Sequence, residues 1–418
     1  MILWLLVLFS SSYAMQDYSK HKIISVEPSS EESITRLKAL YHQGLDGMTF
    51  VDDPEKHKDR VNVIVDIDAE KIVRDEFRDS GSRVRVLDSN LQELIDKTLP
   101  PVENETYKRE VYAYDYTKYQ PIEKINSELK RLANEYSKYA SITDLGRTYE
   151  NRSMLALKIS EGDADKEIIF IQCGIHAREW ISHATCMYII KELLAKFQSK
   201  DQNSRLHIIP YEWIVLPVFN ADGYAYTHNT DRLWRKTRSA TRISYCFGAD
   251  ANRNWPFQFG GADSSPFPCS PTYKGTGPLS EIEVKNVVDY LQSVKSRLKA
   301  FFTFHSYGQF IFYPWSYTTE PSPDEKKLND IANMTANALW RVNGTKYAVG
   351  PPSRLLYSVG GGSMDFVYGE LGVTCAFCFE LRGKSEIVNF LLPPEQIEET
   401  GKETFVAVTK AVALCSKL

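Results

Sequence analysis

The stretch Ile168-Ile169-Phe170-Ile171-Gln172-Cys173-Gly174-Ile175-His176-Ala177-Arg178-Glu179 decides the fold. A continuous apolar run closed by a glycine reads as a strand buried on both faces, the kind found where helices cover both sides of a sheet. Just beyond it, His176 and Glu179 stand three residues apart, so an imidazole and a carboxylate can converge on one cation from a single turn. Zinc takes such nitrogen and oxygen ligands; a catalytic zinc uses three of them and keeps a fourth position for water. An H-x-x-E pair is common by chance, so the rest of the chain has to supply the other parts.

From about residue 110 helical and strand patterns alternate. Helices are predicted over 122–139, 183–197, 280–299 and 324–340, and strands over 168–172, 213–218, 301–305 and 374–381. Apolar strands between helices indicate an α/β unit with its sheet covered on both faces. Residues 20–98 read differently, as a compact α+β unit. Its strands fall at 22–26, 48–51, 61–65 and 83–87 and its helices at 31–41 and 69–77, a β-α-β-β-α-β order. Between the units lies the polar, proline-bearing run Pro100-Pro101-Val102-Glu103-Asn104-Glu105-Thr106, followed by Lys108-Arg109. It reads either as a plain interdomain linker or as an exposed dibasic site open to a trypsin-like protease.

At 418 residues, 43% hydrophobic and 25% charged, the chain can build a large core and a smaller second one. A net charge of −4 gives no reason to expect nucleic acid or an acidic membrane as partner. Residues 1–9 are apolar and Ser12-Tyr13-Ala14 offers small residues for cleavage, which predicts a secretory signal over 1–14 with no Lys or Arg before the apolar stretch. In a secreted chain the seven cysteines become disulfide candidates, with at least one thiol left over. Sequons at Asn104, Asn151, Asn333 and Asn343 fit the same compartment.

His305 is the best third ligand, because it ends the apolar run Ala300-Phe301-Phe302-Thr303-Phe304 and so faces the crevice where α/β proteins place their chemistry. His183, His207 and His228 are its rivals. Glu380 closes another apolar run, Val373-Thr374-Cys375-Ala376-Phe377-Cys378-Phe379, where a carboxylate is costly unless it is partnered or functional. The basic stretch Asp231-Arg232-Leu233-Trp234-Arg235-Lys236-Thr237-Arg238 and the segment Asp250-Ala251-Asn252-Arg253-Asn254-Trp255 place arginines beside an amide. Arginine's planar fork matches a carboxylate, and capture of a free C-terminus would make a hydrolase an exopeptidase.

Together these segments resemble the secreted zinc metallocarboxypeptidases of the pancreatic A/B type, which are made as proenzymes. The resemblance rests on Gly174-Ile175-His176-Ala177-Arg178-Glu179-Trp180, Arg232-Leu233-Trp234-Arg235-Lys236, Asp250-Ala251-Asn252-Arg253-Asn254, His305-Ser306-Tyr307, Tyr357 with Gly361-Gly362-Ser363, and Phe379-Glu380-Leu381-Arg382. It implies a ferredoxin-like activation domain over 15–109, with an exposed linker at 99–109, and a catalytic domain over 110–418 built on a mixed twisted sheet. It implies one zinc ion held by His176, Glu179 and His305, with Glu380 as the base and Arg235 stabilising the oxyanion. Asn252 and Arg253 would hold the terminal carboxylate, Tyr357 would close over it, Arg178 and Tyr307 would contact residues upstream of the cut, and Asp250 would orient a zinc histidine. The partners implied are peptide and protein C-termini and an activating trypsin-like protease, and the protein is expected to be a monomer.

The resemblance also implies the disulfides Cys173–Cys186, found in the B-like branch, and Cys246–Cys269. Cys375 and Cys378 are expected to be buried core thiols, and Cys415 an exposed thiol. The specificity position, acidic in members that remove Lys or Arg, is Met364 here, with Phe312, Val359, Cys378 and Ser316 around it. An apolar pocket of this kind implies aromatic or large aliphatic C-terminal residues; a one-residue shift of the loop would instead bring in Asp365 and a preference for basic ones. A serine hydrolase using Ser363 is excluded by the missing G-x-S-x-G elbow. An inactive peptide-binding relative would have lost Glu380, a zinc ligand or Arg235, and all are present.

Overall fold

The computed structural model describes residues 15–52, 54, 58–99, 114–162, 165–383 and 389–417. The expected signal over 1–14, the linker beyond Leu99 with Lys108-Arg109, and the Asn104 sequon lie outside them.

The N-terminal unit runs β1 (Lys22–Glu27), α1 (Glu31–Gln43), β2 (Met48–Phe50), β3 (Val61–Val65), α2 (Ile67–Phe77), β4 (Arg83–Asp88) and α3 (Leu91–Asp96). Its four strands form an antiparallel sheet in the order β2-β3-β1-β4. α1 and α2 start where a side chain caps them: Ser30 accepts from the Ser33 amide and Asp66 from the Ala69 amide. Alternation along the strands serves two interfaces. Ile24, Val26, Val63 and Val65 pack beneath α1 and α2, whereas Ile23 and Ile64 face the other way and meet Leu91, Ile95, Leu233, Phe390 and Leu391. The small unit is therefore docked on the large one through its own sheet. Gly44, which ends α1, has φ +61°, and a Cβ there would lie 2.7 Å from the Cys269 carbonyl oxygen, so the docked surface needs glycine at this point.

The C-terminal unit runs α4 (Ile122–Glu135), β5 (Ala140–Arg147), β6 (Ser153–Ile159), β7 (Ile168–Cys173), α5 (Trp180–Gln198), α6 (Gln202–Arg205), β8 (Glu212–Leu216), α7 (Ala221–Asn229), α8 (Ile282–Ser293), β9 (Leu298–His305), β10 (Phe310–Phe312), α9 (Glu325–Asn343), β11 (Ala348–Gly350), α10 (Pro352–Leu355), α11 (Ser363–Gly369), β12 (Cys375–Glu380) and α12 (Ile397–Cys415). These strands make one mixed sheet in the order β11-β10-β12-β9-β7-β8-β6-β5. The central strands β12, β9, β7 and β8 are parallel and almost wholly buried. Their C-terminal ends open on one crevice, the place where open α/β sheets carry their sites. The register pairs Glu380 with His305, so the two candidate residues emerge side by side.

The helix expected over 280–299 is shorter than the sequence suggests. Its apolar positions Val284, Val287, Val288 and Leu291 stop one turn before the charged Lys295–Arg297 turn, after which the chain enters β9. The disulfides Cys173–Cys186 and Cys246–Cys269 are formed. A third one corrects the expectation for the remaining cysteines: Cys375 is bonded to Cys415, which is fully buried rather than exposed, and Cys378 is the free thiol. Residues three apart on a strand face opposite sides, so Cys375 and Cys378 cannot share a partner surface. Cys415 reaches Cys375 because α12, lying against α5 and α9, brings its last turn back to the start of β12. The bridge spans 40 residues, so Cys415→Ala is expected to lower unfolding free energy by about 4 kcal/mol on the chain-entropy account. Denaturant titration against the oxidised wild type measures this, and an unchanged midpoint would refute it.

Candidate active site

Gly174 turns the chain out of β7 with φ +68°, and a Cβ there would lie 2.2 Å from His183 Nε2. The turn is then pinned to the neighbouring elements. Ser182 Oγ accepts from the Gly174 amide at 3.0 Å and donates to the Phe304 carbonyl at 2.6 Å, while the Ala177 amide donates to the Arg235 carbonyl at 3.1 Å. Three segments distant in sequence are thereby locked around His176.

The predicted ligands meet. His176, Glu179 and His305 are 2–4% exposed, and their donor atoms all lie within 4.8 Å of one another. His176 Nδ1 is 2.8 Å from Glu179 Oε1, and His305 Nδ1 is 3.1 Å from His176 Nδ1 and 3.3 Å from Glu179 Oε2. Asp250 Oδ1 lies 3.1 Å from His176 Nε2, which sets that nitrogen as the protonated one and turns the Nδ1 lone pair toward the centre. Two ring nitrogens facing each other above a carboxylate form a donor set that a cation completes. Two nitrogens and one oxygen, buried together, fit zinc with one position left over. The rival histidines take no part. His183 Nδ1 donates to the Glu179 carbonyl and its ring stacks on Tyr224, with burial pushing its pKa down to about 3; His228 stacks on Trp180.

Charge around the centre is balanced by pairing. Burial raises the Glu179 and Asp250 carboxyls, but His176 and His305 beside Glu179, and Arg235, Arg253 and His176 beside Asp250, more than offset it and hold both well below the usual range. Asp250 Oδ2 accepts from Arg235 Nη2 at 2.7 Å, and Arg235 Nη1 stands 3.8 Å from Glu179 Oε1. One buried carboxylate thus orients both an imidazole and a guanidinium.

The other predicted residues line a single cavity of about 260 Å³ with these groups: Arg178, Asn252, Arg253, Tyr307, Tyr357, Met364 and Glu380. Asn252 Oδ1 accepts from the Ser363 amide at 3.0 Å, which leaves its amide nitrogen for the cavity. Arg178 stacks on the Phe390 ring at 4.0 Å, and burial, then Arg235, bring its pKa down to about 10, so it stays cationic at neutral pH. The buried Arg232 fixes this pair by donating to the carbonyls of Arg178 and Phe390, both at 3.0 Å. Met364, Phe312, Val359 and Ser316 are buried in the cavity wall, with the half-buried Cys378 beside them. Asp365 is turned away: its carboxylate accepts from the Ser316 amide at 2.9 Å and the Tyr317 amide at 3.0 Å, while burial raises its pKa to about 6.

Several contributors carried no signal in the sequence. Phe390 is one, and the N-terminal unit supplies Tyr41, Phe50, Val51 and Asp52 to the same cavity. Tyr307 Oη donates to Asp52 Oδ1 at 3.0 Å, across 255 positions of sequence. The small unit therefore occupies the mouth of the crevice and engages one of the residues expected to meet substrate.

Comparison with known proteins agrees with this geometry. Residues 125–407 match the family described as zinc carboxypeptidase, and residues 24–98 match the carboxypeptidase activation peptide. Carboxypeptidase B of Astacus astacus is 43% identical over 300 residues, covering 72% of this chain and 97% of that protein. Carboxypeptidase A1 of Bos taurus is 34% identical over 411 residues, covering 97% and 96%. The solved structure of thrombin activatable fibrinolysis inhibitor superposes with a TM-score of 0.85 at 30% identity, covering 96% of this chain and all of that one. A buried two-histidine, one-carboxylate centre at the C-terminal end of a mixed sheet, capped by a separate α+β unit, has one consistent reading: the chain belongs to the zinc carboxypeptidase family, as a metallocarboxypeptidase that carries its own activation peptide.

Proposed function

We propose that the protein is a secreted, monomeric exopeptidase that removes aromatic or large aliphatic residues from peptide C-termini after its activation domain is cut away. In this reading the signal covers 1–14, the activation domain 15–109 and the catalytic domain 110–418, with a trypsin-like protease cutting near Arg109. Zinc held by His176, Glu179 and His305 would supply Lewis acidity toward water and the scissile carbonyl. Glu380 takes the proton of the attacking water and returns it to the leaving amine. Arg235, held by Asp250, donates to the developing oxyanion. Asn252 and Arg253 hold the terminal carboxylate, and Tyr357 closes over it from a glycine-rich loop. Arg178 and Tyr307 contact the residues upstream, Tyr307 only after Asp52 has left its hydroxyl.

The observation that carries the preference is the orientation of the loop at 364–365. Met364 faces the cavity while the Asp365 carboxylate is held by two backbone amides, so neither residue of this loop offers a basic side chain a counter-charge. Relatives named carboxypeptidase A1 and carboxypeptidase B are both similar to this chain, so names do not choose between the two preferences.

The test treats the purified protein with trypsin and follows release of Phe and of Arg from matched peptides, with and without a zinc chelator. Chelator-sensitive release of Phe after cleavage, and almost none before it, is the expected result. Preferential release of Arg would overturn the preference, and full activity of the uncut chain would overturn the proenzyme reading.

A further inference from the structure

Arg253 comes to the cavity with three of its five N–H groups already committed. Nε donates to the Asp263 carbonyl at 2.8 Å, Nη2 to Asp263 Oδ2 at 2.7 Å, and Nη1 to the Asn252 carbonyl at 3.1 Å. A guanidinium has five such donors, so among the described residues these three contacts leave two N–H groups over, and two is the number that a carboxylate accepts side by side. The side chains of Arg253 and Asp263 are only 3% and 6% exposed, so this pairing is desolvated.

Asp263 grips the guanidinium with its backbone and its side chain at once. Its φ is +54°, a left-handed conformation that non-glycine residues adopt uncommonly and aspartate tolerates better than most. A second carboxylate oxygen, Asp250 Oδ2, lies 3.7 Å from Nη1. Arg253 is thus paired closely with Asp263 through Nε and Nη2, and more loosely with Asp250 through Nη1. Attraction of an anionic ligand would be greater without Asp263; what Asp263 adds is orientation.

We propose that Asp263 is a positioning residue for recognition of the substrate's terminal carboxylate. It fixes the plane of Arg253 so that the two uncommitted N–H groups face the cavity. The proposal rests on the reading of Arg253 as the carboxylate clamp, and the experiment separates the two. Activated wild type, Asp263→Ala, Asp263→Asn and Arg253→Ala are compared by kcat and KM on a Phe-terminated peptide, by inhibition with free phenylalanine, and by thermal unfolding. Asp263→Ala is expected to raise KM and the phenylalanine inhibition constant about tenfold with kcat changed less than about threefold, the pattern of lost uniform binding. Asp263→Asn, which keeps an acceptor oxygen and the backbone carbonyl, is expected to recover most of that loss. A purely structural role would lower the unfolding temperature without this split or this rescue, and that result overturns the proposal. Unchanged or tighter phenylalanine binding in Asp263→Ala overturns it as well. If Arg253→Ala leaves KM unchanged, the clamp reading itself fails, and the role of Asp263 fails with it.

Discussion

Glu380→Gln is expected to lower kcat of the activated enzyme by at least about three orders of magnitude, with KM for the same peptide nearly unchanged. The reason is positional. β12 ends at Glu380 in register with the last residue of β9, His305, so the carboxylate stands beside the metal-binding cluster without belonging to it. Gln has the same shape and can still hydrogen-bond, but it cannot carry a proton from water to the leaving amine. Zinc content should therefore stay at one per chain, measured by elemental analysis, while turnover collapses. A variant that keeps kcat within about tenfold of wild type would show that proton transfer runs through another group.

On the proposed preference for Phe-ended peptides, Met364→Asp is expected to reverse it, moving the ratio of kcat/KM for Phe-ended over Arg-ended peptides by about a thousandfold or more. Met364 is 4% exposed, among Phe312 and Val359. An ionised carboxylate placed there lacks a partner when the incoming side chain is phenyl and gains one when it is guanidinium. Asp365 does not already provide that partner, because the Ser316 and Tyr317 amides hold its carboxylate. Met364→Leu, similar in volume and apolar, should leave the ratio within about tenfold. A wild type that already prefers Arg would remove the basis for this prediction.

The parts of the fold that were legible in sequence are those with strong local periodicity. In the N-terminal unit, the six expected elements recur within about two residues, because each has its own alternating or helical apolar pattern and two of its helices carry capping side chains. The hairpin β5–β6 gives no such signal, since β5 at the sheet edge mixes exposed and buried positions without a clean period. The edge strands β10 and β11 are three residues each, too short to show a period. α12 is not among the helices read from the sequence; it packs its buried residues against α5 and α9.

The site divides along the same line. The spacing of His176 and Glu179 puts two candidate ligands on one turn, and the ends of two apolar runs point to His305 and Glu380; these are local properties, legible along the chain without the fold. Everything that required knowing which segments touch was decided by the tertiary structure. Cys415 meets Cys375 where α12 folds back, Asp263, at φ +54°, meets Arg253 within one loop, and Asp52 meets Tyr307 where the small sheet docks through its second face. Such contacts join residues 10 to 255 positions apart and leave no periodic trace in the chain. Their energy comes from burial and pairing between surfaces that exist only after each unit has folded.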